Sequence, residues 1–396
     1  MKTILLIALL STQYKGDNDN VLAITEALKQ QYQKENLQID IVNLEIDKLD
    51  PNQIEKYPNQ VIIIGAGLDG IKAFTILNSN KGTSKFIWSG HQLINEVTEN
   101  LKILDNIVLP SYALNQEQIK QIQEAKVKLI ETTGIPHTLT KEDCIKEYKD
   151  LADKKLIPDS SNGYIFTCLS GDAPDSNGKI KFYTQEEAYK LGEQLAQIVK
   201  LKNMMLLVTN GPRTGQYDPK AFPDKVKLPV HEKNSDIDLV SKAFLKGVES
   251  ILGNEAEEKV KFENFVFGKP SVFKGYLGAA IENEKSIVVI GGESSSQITQ
   301  ALDLVAGRLY IKKNTAMNDV HKKQVNKILE TNKGAKLLKD NEVNLIINVI
   351  TDEAYSDAET VAKEFEEENH FFNEEECLYG DRGLKIIGYT SELGTA

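Results

Sequence analysis

Short apolar runs alternate with amphipathic, helix-like segments along most of the chain. Two sets of runs predict buried strands, one in each half: 4–10, 37–44, 61–64, 85–88, 107–109 and 127–130, then 164–169, 204–208, 260–267, 287–290, 308–311 and 345–350. Segments with apolar residues at helical spacing separate many of these runs, as in 185–200. Strands that alternate with helices in this way predict an α/β fold whose mostly parallel sheets are covered on both faces.

The pattern pauses once, near the middle of the chain. Residues 140–162 are polar and rich in lysine, and a turn cluster begins at Pro158. Because 396 residues exceed one ordinary core, we place a domain boundary here. The sequence therefore predicts a first Rossmann-like lobe over 1–155, a second over 156–340, and a cleft between them in which ligands of such folds usually bind.

An acidic extension over 341–396 follows the two lobes. The formal net charge of the chain is −11, and residues 352–376 hold eleven acidic residues against one lysine, which gives −10. The rest of the chain is therefore close to neutral, and neither lobe is basic enough to predict nucleic-acid binding. We interpret the acidic stretch as a solvated helix face, and the alternative is a partner-binding surface. In one possible arrangement, the extension packs back onto the first lobe.

Cysteine usage and the first residues indicate a cytoplasmic protein. The three cysteines are far apart and fit neither a zinc spacing nor a disulfide framework. The apolar run at the start is seven residues long, which fits a first buried strand better than a signal peptide. No stretch is long enough to span a bilayer, and we expect no metal site, since Asp172 and Asp175 do not form a DxD motif.

The stretch 287–302 carries the clearest candidate chemistry. A β-branched run ends in Gly291-Gly292, three serines follow, and Ile298, Ala301 and Leu302 give the apolar face of a helix. A glycine turn before a helix start places free N–H groups and hydroxyls together, which suits a phosphate or pyrophosphate. The plainer interpretation is that the serines only cap the helix.

A second glycine-rich turn does not indicate a dinucleotide site. The sequence from Gly65 to Gly70 has the spacing G-x-G-x-x-G, but it follows the third predicted strand, whereas that fingerprint follows the first. We therefore reject NAD binding.

Three more side chains follow predicted strands. Arg213 lies between Gly211 and Gly215, and its guanidinium could hold a diphosphate, although pairing with Asp218 would also explain it. His91 and His137 are candidates for a general base, since histidine titrates near neutral pH. Each could equally be an ordinary loop histidine.

Four short motifs together resemble a known family. They are Thr132–His137, Leu169–Pro174, Thr209–Thr214 and Gly292–Ile298. Their order and spacing, over roughly residues 1–330, are similar to the mitochondrial-fission ELM-type family of bacteria and plants, which is similar to the two-Rossmann-domain, GT-B-type glycosyltransferases. The chain departs from the family pattern in having Ser111-Tyr112 where a second histidine or aspartate is usual, and one arginine where two are usual.

The resemblance implies a glycosyltransferase that uses a nucleoside-diphosphate sugar, of uridine type, as its substrate and needs no tightly bound cofactor. The second lobe would bind this substrate through Gly211, Arg213, Thr214, Gly292, Glu293, Ser294, Ser295, Ser296 and Gln297. Glu293 would accept from ribose or sugar hydroxyls, since its charge repels phosphate. His91 or His137 would be the base, and Trp88 could stack on a sugar or nucleobase.

The acceptor implied by the resemblance is a hydroxyl of a lipid-linked or other saccharide, with peripheral membrane contact as one consequence. Two alternatives stay open. A nucleoside-diphosphate-sugar epimerase would use the same fold and phosphate turn without an acceptor. A non-enzymatic interaction protein would keep the fold and present the acidic stretch to a partner.

Overall fold

Two parallel sheets of six strands each form the frame of the molecule, one in each half of the chain. The structure is a computed structural model that describes residues 3–12, 15–50, 60–174, 178–331, 334–345 and 357–368. Helices alternate with the strands in both halves, so the α/β fold with two Rossmann-like lobes predicted from the sequence is confirmed.

The first sheet has the strand order β2-β1-β3-β4-β5-β6. Its strands are β1 Thr3–Leu10, β2 Gln38–Glu45, β3 Gln60–Ala66, β4 Lys85–Ser89, β5 Asn106–Pro110 and β6 Lys128–Thr132. The helices of this part are α1 Lys15–Lys34, α2 Gly67–Leu77, α3 Asn95–Glu99 and α4 Gln116–Glu124. The six residues from Ile4 to Leu9 are all buried, as a strand covered on both faces requires.

The second sheet has the order β11-β10-β7-β12-β13-β14. Strands β8 and β9 form a separate, short antiparallel pair. The strands are β7 Tyr164–Cys168, β8 Ala173–Pro174, β9 Ile180–Lys181, β10 Met205–Thr209, β11 Val260–Glu263, β12 Ile287–Gly291, β13 Leu309–Lys312 and β14 Ala335–Leu337. The helices are α5 Lys141–Asp153, α6 Gln185–Lys202, α7 Leu239–Leu252, α8 Ala256–Lys259, α9 Phe273–Glu282, α10 Ser295–Leu304, α11 Asp319–Glu330 and α12 Asp357–Glu368. The strand predicted over 345–350 lies outside the described residues beyond Leu345.

Helix α5 occupies the polar segment in which the sequence places the domain boundary. Its apolar residues Cys144 and Leu151 join the core of the second lobe. There α5 lies against α9 so closely that a Cβ on Gly278 would stand 2.6 Å from the carbonyl carbon of Cys144. The buried face of α5 has few apolar residues, and the rest of the helix is mostly charged. The local sequence pattern therefore does not predict that this face is buried.

The helix of the acidic extension, α12, packs against the first lobe. Val361 and Phe365 are fully buried in a cluster with Ile4 and Leu6 of β1 and Ile24 of α1. The remainder of the acidic stretch lies outside the described residues. Among the helices that the structure describes, none is long and apolar enough to cross a bilayer.

Candidate functional site between the two lobes

A cavity of about 670 Å³ lies between the lobes. Residues that follow the carboxyl ends of strands in both sheets form its walls, which is where open α/β sheets place ligands. The first lobe contributes His91, Gln92, Tyr112 and Ile135. Residues of the second lobe complete the cavity: Leu169, Gly171, Pro174, Lys181, 211–214, 293–297 and 318–321.

The N-terminus of α10 forms one wall. The first backbone bond into this helix runs from Ile298 N–H to the carbonyl of Ser294, so the N–H groups of Ser295, Ser296 and Gln297 have no carbonyl partner among the described residues. The Ser294 side chain does not cap the helix and donates to Glu293 instead, at 2.8 Å. These unpaired donors and the helix dipole together favour an anion.

The Gly291-Gly292 turn brings this helix start close to the sheet. A Cβ on Gly292 would lie 2.6 Å from the Met317 sulfur, and one on Gly291 would overlap the Ser170 hydroxyl. The Gly292 N–H donates to the carbonyl of Lys312 at 2.8 Å. Larger residues would therefore push α10 away from the sheet.

Glu293 is buried and already has partners inside the protein. Its Oε1 accepts from the Gly171 N–H at 3.0 Å and from Ser294, and its Oε2 accepts from Asn314 Nδ2 at 2.6 Å. With 1% of the residue exposed, the carboxylate ties the loop after β7 to the turn before α10. Its predicted contact with ligand hydroxyls stays a prediction, and the geometry that the structure gives is that of a residue that orients both loops.

The loop that carries Arg213 is closed by short-range hydrogen bonds. The Thr214 hydroxyl accepts from the Gly211 N–H at 3.0 Å and lies 3.2 Å from the carbonyl of Leu169, to which it donates. The Asp172 N–H donates to the carbonyl of Arg213 at 2.9 Å. The guanidinium makes no ion pair within the described residues, and Asp218 instead caps the Lys220 N–H. A fixed loop thus presents an exposed, unpaired cation to the cavity.

Asp172 stabilises the surroundings of this loop through hydrogen bonds from backbone N–H groups. Its two oxygens accept from the backbone N–H groups of Tyr183 and Tyr217, both at 3.1 Å. Burial raises the pKa of Asp172 to about 6, although these two bonds and Arg213 act in the opposite direction. The carboxyl is a positioning group, and Asp175 lies outside the described residues.

Only one of the two candidate histidines faces the cavity. The His91 ring lines the cavity, and the residue is exposed to solvent. Desolvation by the surrounding protein and the nearby Arg213 lower the pKa of His91 below its usual value, so the ring is neutral and able to accept a proton at neutral pH.

The other candidate, His137, is directed toward the second lobe. Its Nε2 lies 2.9 Å from Oδ2 of Asp303 in α10, and both side chains are buried. His137 is not among the residues that line the cavity. Its location indicates a contact between the lobes, and its role as a base stays a prediction.

The stacking role predicted for Trp88 is wrong. The side chain is fully buried in the core of the first lobe, and its Nε1 donates to the carbonyl of Gly67 at 2.9 Å. The ring therefore has no face available to a sugar or nucleobase.

Sequence reasoning missed the contribution of α11. Asn318, Asp319, Val320 and His321 form a second helix start at the cavity, and the Lys181 side chain reaches the adjoining Met317 carbonyl at 3.3 Å. The available signal was Asn318, a favourable N-cap residue before a segment of helical period. The two acidic side chains at the cavity already have partners, since Glu293 is hydrogen-bonded inside the protein and Asp319 is paired with Lys322. The two helix starts, Arg213 and Lys181 therefore give the cavity an excess of hydrogen-bond donors.

No protein-family model matches the chain, and no curated protein matches it. Solved structures with a similar fold include a UDP-GlcNAc 2-epimerase from Neisseria meningitidis bound to UDP-GlcNAc, with 12% identity, a TM-score of 0.44, and coverage of 95% of this chain and 93% of that one. A UGT transferase from Siraitia grosvenorii in complex with UDP has 9% identity and a TM-score of 0.43, over 92% and 90% of the two chains. MurG from Acinetobacter baumannii has 9% identity and a TM-score of 0.37, over 92% and 90%. What the cavity binds therefore has to be judged from its own residues.

Proposed function

We propose that the chain is a glycosyltransferase that binds a nucleoside-diphosphate sugar in the interlobe cavity and transfers the sugar to a hydroxyl acceptor. The observation that carries this proposal is the convergence of the free N–H groups of α10, the unpaired Arg213 and Lys181 on one cavity. A diphosphate matches this set because it offers several anionic acceptor oxygens at one place. His91 on the opposite lobe supplies the group that such a transfer needs on the acceptor side.

In this reaction the acceptor hydroxyl loses its proton to the neutral imidazole of His91 as its oxygen forms the bond to the anomeric carbon. The bond from that carbon to the phosphate oxygen breaks, and its electron pair leaves with the nucleoside diphosphate. Arg213 and the N–H groups at the start of α10 stabilise the negative charge that develops on the departing phosphate. His91 then releases its proton to solvent.

The resemblance of the four short motifs to the ELM-type family extends our proposal to the identity of the ligands. A uridine diphosphate sugar is the donor we expect, and a lipid-linked or other saccharide is the expected acceptor. The acceptor would enter from the first-lobe side, where His91, Gln92 and Tyr112 form the wall. We also propose a cytoplasmic location with, at most, peripheral contact with a membrane.

Binding of uridine diphosphate, measured by isothermal titration calorimetry, tests the donor site. Arg213→Ala removes charge-assisted hydrogen bonds worth about 1.5–3 kcal/mol, so we expect roughly 10- to 100-fold weaker binding. Because Arg213 makes no internal ion pair, its removal should leave the melting temperature unchanged. Lys220→Ala removes an exposed cation outside the cavity and is the matched control, for which we expect binding like the wild type.

Product analysis with UDP-N-acetylglucosamine tests the reaction. Incubation with a mixture of saccharide acceptors should release uridine diphosphate, and His91→Ala should reduce that release far more than His137→Ala. Conversion of the nucleotide sugar without any acceptor would favour an epimerase instead. Failure of the wild type to bind any nucleoside diphosphate would reject both reactions and favour an interaction protein.

A further inference from the structure

His321, at the start of α11, has a fixed orientation and a fixed tautomer. Its Nδ1 accepts from the backbone N–H of Asn318 at 3.2 Å, while the Asn318 side chain accepts from the His321 N–H at 2.9 Å. This reciprocal pair is a capping box. Since Nδ1 is the acceptor, the proton of the neutral ring is on Nε2.

The ring edge with Nε2 is directed away from this cap, and the residue lines the interlobe cavity. Within the part of the chain that the structure describes, no acceptor is hydrogen-bonded to Nε2. The titratable groups around the ring are Glu293, which raises the pKa of His321, and Arg213, His91 and Lys181, which lower it. Burial is the largest effect, and together they lower the pKa to about 4, so the ring is a neutral donor at neutral pH.

We propose that His321 is a ligand-contact residue whose Nε2–H donates to a phosphate oxygen of the bound diphosphate. The inference rests on the proposed function, because it uses the same anion site. Two features favour a phosphate oxygen over a sugar hydroxyl. The ring stands beside the N–H groups of Asp319 and Val320, which have no acceptor in the described chain, and it shares the cavity with Arg213 and Lys181. A diphosphate is the group that can satisfy so many donors at once.

A neutral donor adds to this site without adding a third cation beside Arg213 and Lys181. In the unliganded site another fixed positive charge would be repelled by these two, which is the effect that helps to keep the ring neutral. The capping box removes the rotational freedom of the ring before the ligand arrives, so little side-chain entropy is lost on binding.

Two substitutions keep the cap but differ in whether the new side chain can donate a hydrogen bond. His321→Gln leaves an amide that can accept from Asn318 N–H and still donate, whereas His321→Glu caps equally well but offers no proton at neutral pH. Because the second substitution also adds one unit of negative charge, Lys323→Gln, which changes the charge by the same one unit, is the matched control. Lys323 lies in the same helix, is exposed, and does not line the cavity.

Inorganic pyrophosphate and uridine diphosphate are the probes, measured by calorimetry at pH 7.5, with melting temperatures measured alongside. We expect His321→Gln to bind within about threefold of the wild type and His321→Glu to bind about 100-fold more weakly, the loss of a hydrogen bond to a charged group. Lys323→Gln should weaken binding by about fivefold or less, because exposed charges are screened. Melting temperatures of the two His321 variants should stay close to that of the wild type, since both keep the cap.

Weakening by His321→Glu that is no larger than that by Lys323→Gln would overturn the contact. If Arg213→Ala still weakens pyrophosphate binding in the same experiment, only the role of His321 is rejected and the proposed donor site is retained. Failure of the wild type to bind either probe would overturn both the contact and the proposed function.

Discussion

Gly134 gives a sharp test of how the two lobes contact each other. This residue follows β6 in the first lobe and meets α10 of the second. A Cβ at this position would overlap the Thr299 hydroxyl and stand 2.7 Å from Thr299 Cγ2 and 2.9 Å from Oδ2 of Asp357. The Thr299 hydroxyl accepts from the Ile135 N–H at 3.3 Å, and Thr299 is 1% exposed, so the side chain has no free space to move into.

The cost of Gly134→Ala follows from these contacts. Overpacking a buried site costs about 1–3 kcal/mol, and displacement of Thr299 loses a hydrogen bond worth about 1 kcal/mol. Thr299→Ala alone removes that bond and a buried methyl, at about 1–2 kcal/mol. In the double variant the missing side-chain atoms leave room for the new methyl. We therefore expect it to be about 1–2 kcal/mol more stable than the sum of the single changes predicts.

Urea unfolding measures these free energies. Trp88 is the single tryptophan and is buried in the first lobe, so its fluorescence reports that lobe, while circular dichroism reports both. Coincident transitions would justify one free energy for the chain. Gly16→Ala is the matched control, because a Cβ there meets nothing within 4 Å, and this helix position should gain about 0.5–1 kcal/mol.

Strict additivity of Gly134→Ala and Thr299→Ala would refute the predicted contact. A Gly134→Ala variant as stable as the wild type would also do so, since it would mean that the two lobes do not meet in this way.

Three further predictions concern groups on the second lobe. Glu293→Gln should lower the free energy of unfolding, measured with urea, by about 1–3 kcal/mol, because the new amide would face Asn314 Nδ2. Asn314→Asp in the same chain should recover part of this loss in the same measurement. Burial raises the folded-state pKa of Asp303 to about 6. The contribution of Asp303 to stability is therefore greatest below its unfolded-state pKa of about 4 and is lost as pH rises through about 6. Asp303→Asn should flatten this part of a plot of melting temperature against pH. Gly247→Ala should cost about 1–3 kcal/mol in thermal unfolding, since its Cβ would stand 2.9 Å from the carbonyl carbon of Tyr189 where α7 crosses α6.

Local patterns predicted the fold well because each strand and its turn are encoded within a few residues. The run Ile287–Ile290 predicts a buried strand, and β12 contains it with every residue buried. The serines after Gly292 indicate a helix start, and α10 begins at Ser295. Parallel sheets then place all such turns at one edge, so the general location of the site follows from the strand order.

Contacts between distant segments were not accessible in the same way. The Glu293 carboxylate is occupied by Gly171 and Asn314, which lie 122 and 21 residues away in the chain. His137 is separated from Asp303 by more than 160 residues, and nothing near it in sequence indicates an acidic partner. Pairings of this kind depend on how the lobes pack, and a single sequence does not reveal that packing.

One rigid element, α10, connects the anion site with the contact between the lobes. Its first turn provides the free N–H groups, while Thr299 and Asp303, one and two turns later, contact Ile135 and His137 of the first lobe. Because a helix of ten residues moves as a unit, a displacement at Thr299 also displaces the N–H groups at Ser295. Gly134→Ala should therefore weaken pyrophosphate binding as well as stability, and Thr299→Ala in the same chain should restore both. Restored stability without restored binding would show that the two ends of the helix act independently.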